Sequence, residues 1–292
     1  MFTVVNKQII GDDVKRLDIS AETIARRVQP GQFVMVIPRE NGEWIPLPVV
    51  ESDSRKGTIT VLFQEQSAAT QQLAALPIKE TIYAIMGPLG QPTACTKKVG
   101  LVVCVGTGLG VAQLLPMARH LAKLGNKVVG VIGAKTQREL LLESQMRLAC
   151  YKIYTATNET SIERKHAEIG IVKQLLDQQP INLVYAAGRV EMMQAVAEMT
   201  KSKKIPLFVQ IYPTMCCGAG FCGSCRLRVN HKTVLACEDG PEFDGHKIDF
   251  TDLHIRLKAY QKDGRSSQPA KAEPQFVPDR NKFSKFFIDL IK

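Results

Sequence analysis

Cys217, Cys222, Cys225 and Cys237 stand at C-x4-C-x2-C, followed after eleven further residues by a fourth cysteine. Thiolates at that spacing are the ligand set of a plant-type [2Fe–2S] cluster, which carries one electron at a time. The four-residue gap requires a loop wrapped closely around the metal site. Gly218, Gly220 and Gly223 allow backbone angles that other residues resist. Zinc is the competing reading, although zinc ribbons usually pair two C-x2-C knuckles. Cys216 is an alternative first ligand, at a five-residue gap that fits less well. His231, His246 and His254 lie near this segment, and a solvated or structural role suits each better than ligation.

A second constellation is Val105-Gly106-Thr107-Gly108-Leu109-Gly110-Val111-Ala112. It directly follows an apolar run and directly precedes a helical pattern. Glycines there let backbone N–H groups approach a pyrophosphate at the positive end of a helix, making Gly106, Thr107, Gly108 and Gly110 candidate nucleotide contacts. The turn departs from G-x-G-x-x-G at Val111. An ordinary Rossmann dehydrogenase would place an acidic residue at the end of its second strand. Gly133-Ala134-Lys135-Thr136 stands there instead, with Arg138 close by. Cations could accept a 2′-phosphate, which favours NADP(H) over NAD(H) unless Lys135 is merely solvated.

The elements that must position these residues change character along the chain. Residues 1–95 read as short β-rich strands such as Phe33–Ile37 and Thr58–Phe63, punctuated by Pro30-Gly31, Asn41-Gly42 and Gly57. With one helical insert, Ala68 to Leu76, they suggest a small antiparallel β-barrel. From Val99 the pattern becomes βαβα: a buried strand Val99–Val105, a helix from Ala112 to Leu124, and a strand Lys127–Ile132. Helix 137–148, strand 151–155, helix 170–178, strand Leu183–Ala187 and helix 191–200 complete it. That alternation implies a doubly wound parallel α/β domain over 96–208. The cysteine module occupies 209–258. Residues 259–292 read as a Pro-containing linker and an amphipathic helix carrying Phe283, Phe286, Phe287, Leu290 and Ile291 on one face. That helix either packs on its own chain or docks a partner subunit.

The bulk numbers fit this plan. The chain has 292 residues, 45% hydrophobic and 23% charged, enough for two or three ordinary cores. No apolar run reaches transmembrane length, and the N-terminus lacks a signal-peptide plan. Unpaired-looking cysteines at Cys95, Cys104 and Cys150 point to a reducing cytoplasmic setting. The net charge of +10 suits an acidic partner protein, nucleotide phosphates or a simply solvated surface. No nucleic-acid motif accompanies it.

A nicotinamide gives two electrons as a hydride, whereas the cluster takes one, and flavin is the usual converter. The chain also carries Pro30-Gly31-Gln32-Phe33-Val34, Gly42-Glu43-Trp44-Ile45-Pro46-Leu47 and Gly87-Pro88-Leu89-Gly90. Ala187-Gly188 with Met192-Met193, and Ala236-Cys237-Glu238-Asp239-Gly240-Pro241-Glu242-Phe243-Asp244-Gly245, complete the series. In these motifs residues 1–255 resemble electron-transfer subunits of the ferredoxin–NADP reductase superfamily. The resemblance extends to those that accompany dihydroorotate dehydrogenase. It is closer still to the alpha subunit of NADH-dependent ferredoxin:NADP oxidoreductase and the related sulfide dehydrogenase subunit.

The resemblance implies FAD on the barrel, with Ile45, Pro46, Leu47, Pro48 and Val49 facing the isoalloxazine. Thr70 and the Gly87, Leu89 and Gly90 segment would lie near its diphosphate. NAD(H) or NADP(H) would lie over the Gly106–Gly110 turn, Gly188 and Met192. It also implies a hetero-oligomer with a larger iron–sulfur flavoprotein resembling the small subunit of glutamate synthase, or exchange with ferredoxin. The chain departs from the family at Pro48, where a hydroxyl is usual, at Ser67, usually Gly, and at Trp44, usually Arg. Cys217 stands where the alpha-subunit group often has Asp. Two further readings follow: a dihydroorotate dehydrogenase electron-transfer subunit, and a redox-responsive regulatory module that keeps the cluster without flavin turnover.

Overall fold

The computed structural model describes residues 2–11, 13–157 and 167–263. Its first part is a curled antiparallel sheet of β1 (Phe2–Ile9), β2 (Val14–Ser20), β3 (Phe33–Ile37), β4 (Ile45–Asp53), β5 (Thr58–Gln64), β6 (Thr81–Ile82) and β7 (Ala84–Leu89). The strand order is β6-β1-β2-β5-β4-β3-β7. Alternate residues fill the inside: Leu17 and Ile19, Val34 and Val36, Ile45, Leu47 and Val49, Ile59, Val61 and Phe63 share one core. That is the period of two expected of a sheet closed around its own apolar face. Two helices plug it rather than the single expected insert: α1 (Glu22–Arg27) and α2 (Ala68–Ala75).

β3 is buried on both faces, because Phe33 and Met35 turn outward into a second core shared with the cysteine segment. An irregularity in β4 between Val49 and Glu51 likewise turns Val50 outward, where it meets Leu62 and the α/β domain. The sheet is therefore welded to both its neighbours by residues that a simple inside–outside alternation would leave in water.

The second part contains β8 (Leu101–Thr107), α3 (Gly110–Lys123), β9 (Lys127–Ala134), α4 (Glu143–Ala149) and β10 (Lys152–Thr157). It continues through α5 (Ala167–Gln178), β11 (Leu183–Ala187), α6 (Val190–Ser202) and β12 (Leu207–Gln210). The expected helix over 137–148 is corrected. A 3-10 turn covers Gln137–Glu139, the chain then leaves the helical path, and α4 starts only at Glu143 after Leu142 at φ +56°. Leu141 and Leu142 drop into the core beside Val14 and α3, and that burial outweighs helix continuation.

The remaining described elements are β13 (Arg226–Val229), β14 (Lys232–Leu235), β15 (Glu242–Asp244) and α7 (Phe250–Asp263). β15 returns from the cysteine segment and pairs antiparallel with β12. The larger sheet thus runs β10-β9-β8-β11-β12-β15, and strand pairing continues past residue 208 into the cysteine segment. The order reverses between β8 and β11, so a crevice opens at their carboxyl ends. α7 carries the chain as helix to Asp263, beyond where a linker was expected; the Asp249 carboxylate caps it by accepting from Asp252 N at 2.9 Å. The rest of that linker and the amphipathic helix expected near the C-terminus lie outside the described residues. Among the described residues, no helix is long and apolar enough to cross a membrane.

Candidate functional site

The cysteine loop is built from backbone that needs glycine. Gly218, Gly220 and Gly223 all have positive φ, and a Cβ on Gly218 would lie 2.5 Å from Met35 Cγ. The loop therefore seats directly on β3 of the barrel. A tight hairpin closes the other side: Asn230 and His231 both adopt positive φ, joining β13 to β14 in register Arg226↔Leu235. This register brings Cys225 and Cys237, at the two open ends of the hairpin, to 3.3 Å between sulfurs, both buried.

Cys217 and Cys222 are the more exposed two of the four, and Cys222 Sγ lies 3.1 Å from Ser224 Oγ. The structure thus brings Cys225 and Cys237 into contact, as two ligands of one iron would be, while among the described residues no group of three His, Cys, Asp or Glu is gathered to hold a metal ion. Cys225 and Cys237 are hydrogen-bonded to each other through their sulfurs. Their mutual hydrogen bond draws Cys225 down to about 6 and pushes Cys237 up. Away from the loop, burial raises Cys104 well above the usual range and Cys150 to about 11, whereas Cys216 beside Cys217 is exposed. Of the three histidines expected near this segment, His246 Nε2 lies 2.9 Å from Thr200 Oγ1, His254 faces Glu191 and His231 sits in the turn between β13 and β14.

Beside the loop lies a cleft of about 580 Å³. Ile45 and Leu47 point into the barrel core, leaving Pro46 and Pro48 as its half-exposed wall on β4. Ser67 and Thr70 at the start of α2 form a second wall, Leu109 and Gln113 of the glycine turn and α3 a third, and Tyr212–Met215 the fourth. The last segment runs straight into Cys216 and Cys217. The volume is that of a small-molecule or cofactor site, and its lining mixes apolar walls with polar groups such as Glu43, Gln64, Gln66 and Gln113. Gln113 Oε1 is buried without a partner, as an acceptor waiting for a ligand donor would be. The departures at Trp44, Pro48 and Ser67 all line this cleft. Sequence reasoning missed Gln113, whose only signal was its place one turn into the helix after Gly110.

Other expected contacts do not line this cleft. Val49 lies in the barrel core. Gly87, Leu89 and Gly90 are on or just beyond β7 and are not among the cleft's lining residues. Gln32 Nε2 donates to Gly90 O at 2.8 Å, and a Cβ on Gly90 would meet Gly240 O at 2.9 Å. Leu89 meets Gly218. Leu89 and Gly90 therefore fasten the barrel to the cysteine segment, whereas Gly87 packs against Val34 within the barrel.

The glycine turn lies in the crevice between β8 and β11. A Cβ on Gly110 would lie 2.3 Å from Ala187 O, and one on Gly188, at φ +126°, 2.3 Å from Thr107 Oγ1. Gly106 is also packed, against Val111 and Leu114, whereas Gly108 at φ +54° faces open space. The Thr107 hydroxyl accepts from Arg189 N at 3.0 Å and is buried. Met192 is wholly buried in the core beneath α6. Gly108 is thus the turn residue open to a ligand, while its neighbours hold the strands and helices together. Also missed was the ion pair of buried Glu168 with Arg189, at 2.6 Å beside this crevice.

Residues 213–249 match the family described as the iron–sulfur cluster binding domain of dihydroorotate dehydrogenase B. An uncharacterized protein of Clostridium beijerinckii from the adh 3′ region is 31% identical, the alignment covering 92% of this chain and 93% of that one. The dihydroorotate dehydrogenase B (NAD(+)) electron transfer subunit homolog of Thermotoga maritima is 30% identical, covering 90% and 93%. A solved chain of NADH-dependent reduced ferredoxin–NADP oxidoreductase superposes with a TM-score of 0.84 at 29% identity, covering 90% and 94%. Paired loop thiols, the cleft beside them and likeness over nine-tenths of the length converge, and the chain belongs to the family of dihydroorotate dehydrogenase B electron transfer subunits and their homologues.

Proposed function

We propose that the chain is the electron-transfer flavoprotein subunit of an oxidoreductase complex. It passes electrons between NADH or NADPH, FAD in the cleft, and a [2Fe–2S] cluster on Cys217, Cys222, Cys225 and Cys237. The partner that gives or takes them is a larger iron–sulfur flavoprotein subunit or ferredoxin. One observation carries this reading: the Tyr212–Met215 wall of the cleft continues directly into the cysteine loop, so both sites share a few residues of backbone. Bound in the cleft, flavin supplies the conversion between a hydride pair and single electrons.

The chain's own part is positioning. Pro46 and Pro48 present a flat apolar wall, and Gln113 offers a carbonyl oxygen to a ligand N–H or O–H. Gly108 leaves the backbone of the turn open to a dinucleotide, while Leu109 next to it lines the cleft. No acid–base residue is assigned, because hydride delivery depends on approach and orientation.

The test uses anaerobically purified protein carrying both flavin and cluster, mixed with NADH or NADPH. Bleaching of the flavin band followed by cluster reduction is expected. If neither coenzyme reduces the loaded protein, the reading fails. A second reading, an electron-transfer subunit of a dihydroorotate dehydrogenase, is favoured by the family described for residues 213–249. Co-purification with a dihydroorotate dehydrogenase would select it; co-purification with a larger iron–sulfur flavoprotein would select the first.

A further inference from the structure

One hydroxyl in the cysteine loop is not accounted for by the ligands. Ser224 lies between Cys222 and Cys225, and its Oγ stands 3.1 Å from Cys216 N. A backbone N–H can only donate, so a lone pair of Oγ is taken as acceptor. The same Oγ stands 3.1 Å from Cys222 Sγ. As a metal ligand that sulfur is a thiolate, which can only accept, and the Ser224 hydroxyl proton is therefore aimed at it. Ser224 N approaches the same sulfur at 3.5 Å. Among the described residues the buried pair receives no comparable hydroxyl; Cys237 Sγ accepts from Gly220 N at 3.2 Å, and Cys225 faces Cys237.

Hydrogen bonds to the sulfurs are among the factors that set a cluster's reduction potential. Reduction adds one negative charge, and a donor aimed at a ligand sulfur stabilises that charge more than it stabilises the oxidised state. We propose that Ser224 is a positioning residue that raises the reduction potential of the cluster. It does so by donating to Cys222 Sγ, with the Cys216 amide holding the hydroxyl in that direction. One electron enters, no bond breaks, and the proton stays on Ser224 Oγ. The inference rests on the reading that the four cysteines hold a [2Fe–2S] cluster. It adds that the outer pair, Cys217 and Cys222, is the side where the added charge is best stabilised.

The experiment is EPR-monitored potentiometry on the full chain as isolated, comparing wild type with Ser224→Ala, Ser224→Gly and Ser224→Thr, each with measured iron and sulfide. Ser224→Ala is expected to favour the oxidised cluster about tenfold, a fall of about 59 mV for a one-electron couple. Ser224→Thr, which keeps a hydroxyl, should restore most of the difference. A fully loaded Ser224→Ala with a potential equivalent to less than a twofold change overturns the proposal. It is equally overturned if Ala and Gly both fail to retain iron while Thr retains it, since the hydroxyl then builds the loop instead of tuning a sulfur. Wild type isolated anaerobically without iron or sulfide is a different failure, that of the cluster reading itself.

Discussion

Gly110 and Gly108 are two residues apart, yet the structure assigns them opposite duties. At Gly110 a methyl would press on the carbonyl of Ala187, backbone against backbone, and neither side can give way. Gly110→Ala should therefore destabilise the fold by about 3 kcal/mol, in the range of severe overpacking, as read by urea denaturation without ligands. Gly108→Ala meets open space and carries only the strain of a left-handed residue, about 1 kcal/mol. Its methyl stands where a dinucleotide would approach, so this variant should fold and show a raised KM for coenzyme-driven flavin reduction. Equal stability losses at the two positions would contradict the division. That the segment belongs to an iron–sulfur binding family was legible in the sequence, because metal chemistry constrains cysteine spacing. The division among the glycines was not, because it depends on which strand passes overhead.

At the scale of elements, local signals predicted well wherever a segment served only its own domain. The barrel strands alternate, the parallel strands are continuous apolar runs, and α2 was expected within one residue of its end. They failed where a segment answers to a neighbour. Leu141 and Leu142 break an otherwise helical stretch to reach a core formed by Val14 and α3. α7 was missed because its cap, Asp249, lies just past a motif that drew attention to chemistry; Leu253 is buried and Leu257 lines the cleft. α2 offers a direct test of element energetics. Ser67 and Thr70 form a reciprocal capping box: Thr70 N donates to Ser67 Oγ at 3.2 Å and Ser67 N to Thr70 Oγ1 at 2.9 Å. Ser67→Ala should cost about 1 kcal/mol, whereas Ser67→Gly should cost only a few tenths, because glycine is itself a competent N-cap. Urea melts of the two variants check the order, and a reversed order would mean that the box does not hold the helix in solution.

On the scale of the whole molecule, one carboxylate joins three parts of the chain. Glu242 on β15 accepts from Ala94 N at 2.9 Å, in the connection leaving the barrel, and from Gln210 Nε2 at 3.3 Å, on the parallel sheet. Tyr185 of β11 and Tyr212 at the cleft wall lie close enough for its charge to push both phenols further up, and Thr93 bonds Tyr185 at 3.0 Å. Burial raises Glu242 above the ordinary glutamate value of 4.5, while the Ala94 amide, Thr93 and Gln210 hold part of that rise back. A raised native value means that the folded chain keeps the proton more tightly than the unfolded chain. Its contribution is fully present below 4.5 and is lost as pH rises through the native value. Glu242→Gln imitates the protonated side chain at every pH. The variant and wild type should thus be nearly equally stable near pH 4.5, with the variant gaining relative stability as pH rises toward neutrality, measured as urea midpoints at matched ionic strength. A deficit of the variant that grows as pH rises would mean that the ionised carboxylate is what binds the three parts together, and that the Ala94 and Gln210 donors outweigh the cost of burying its charge.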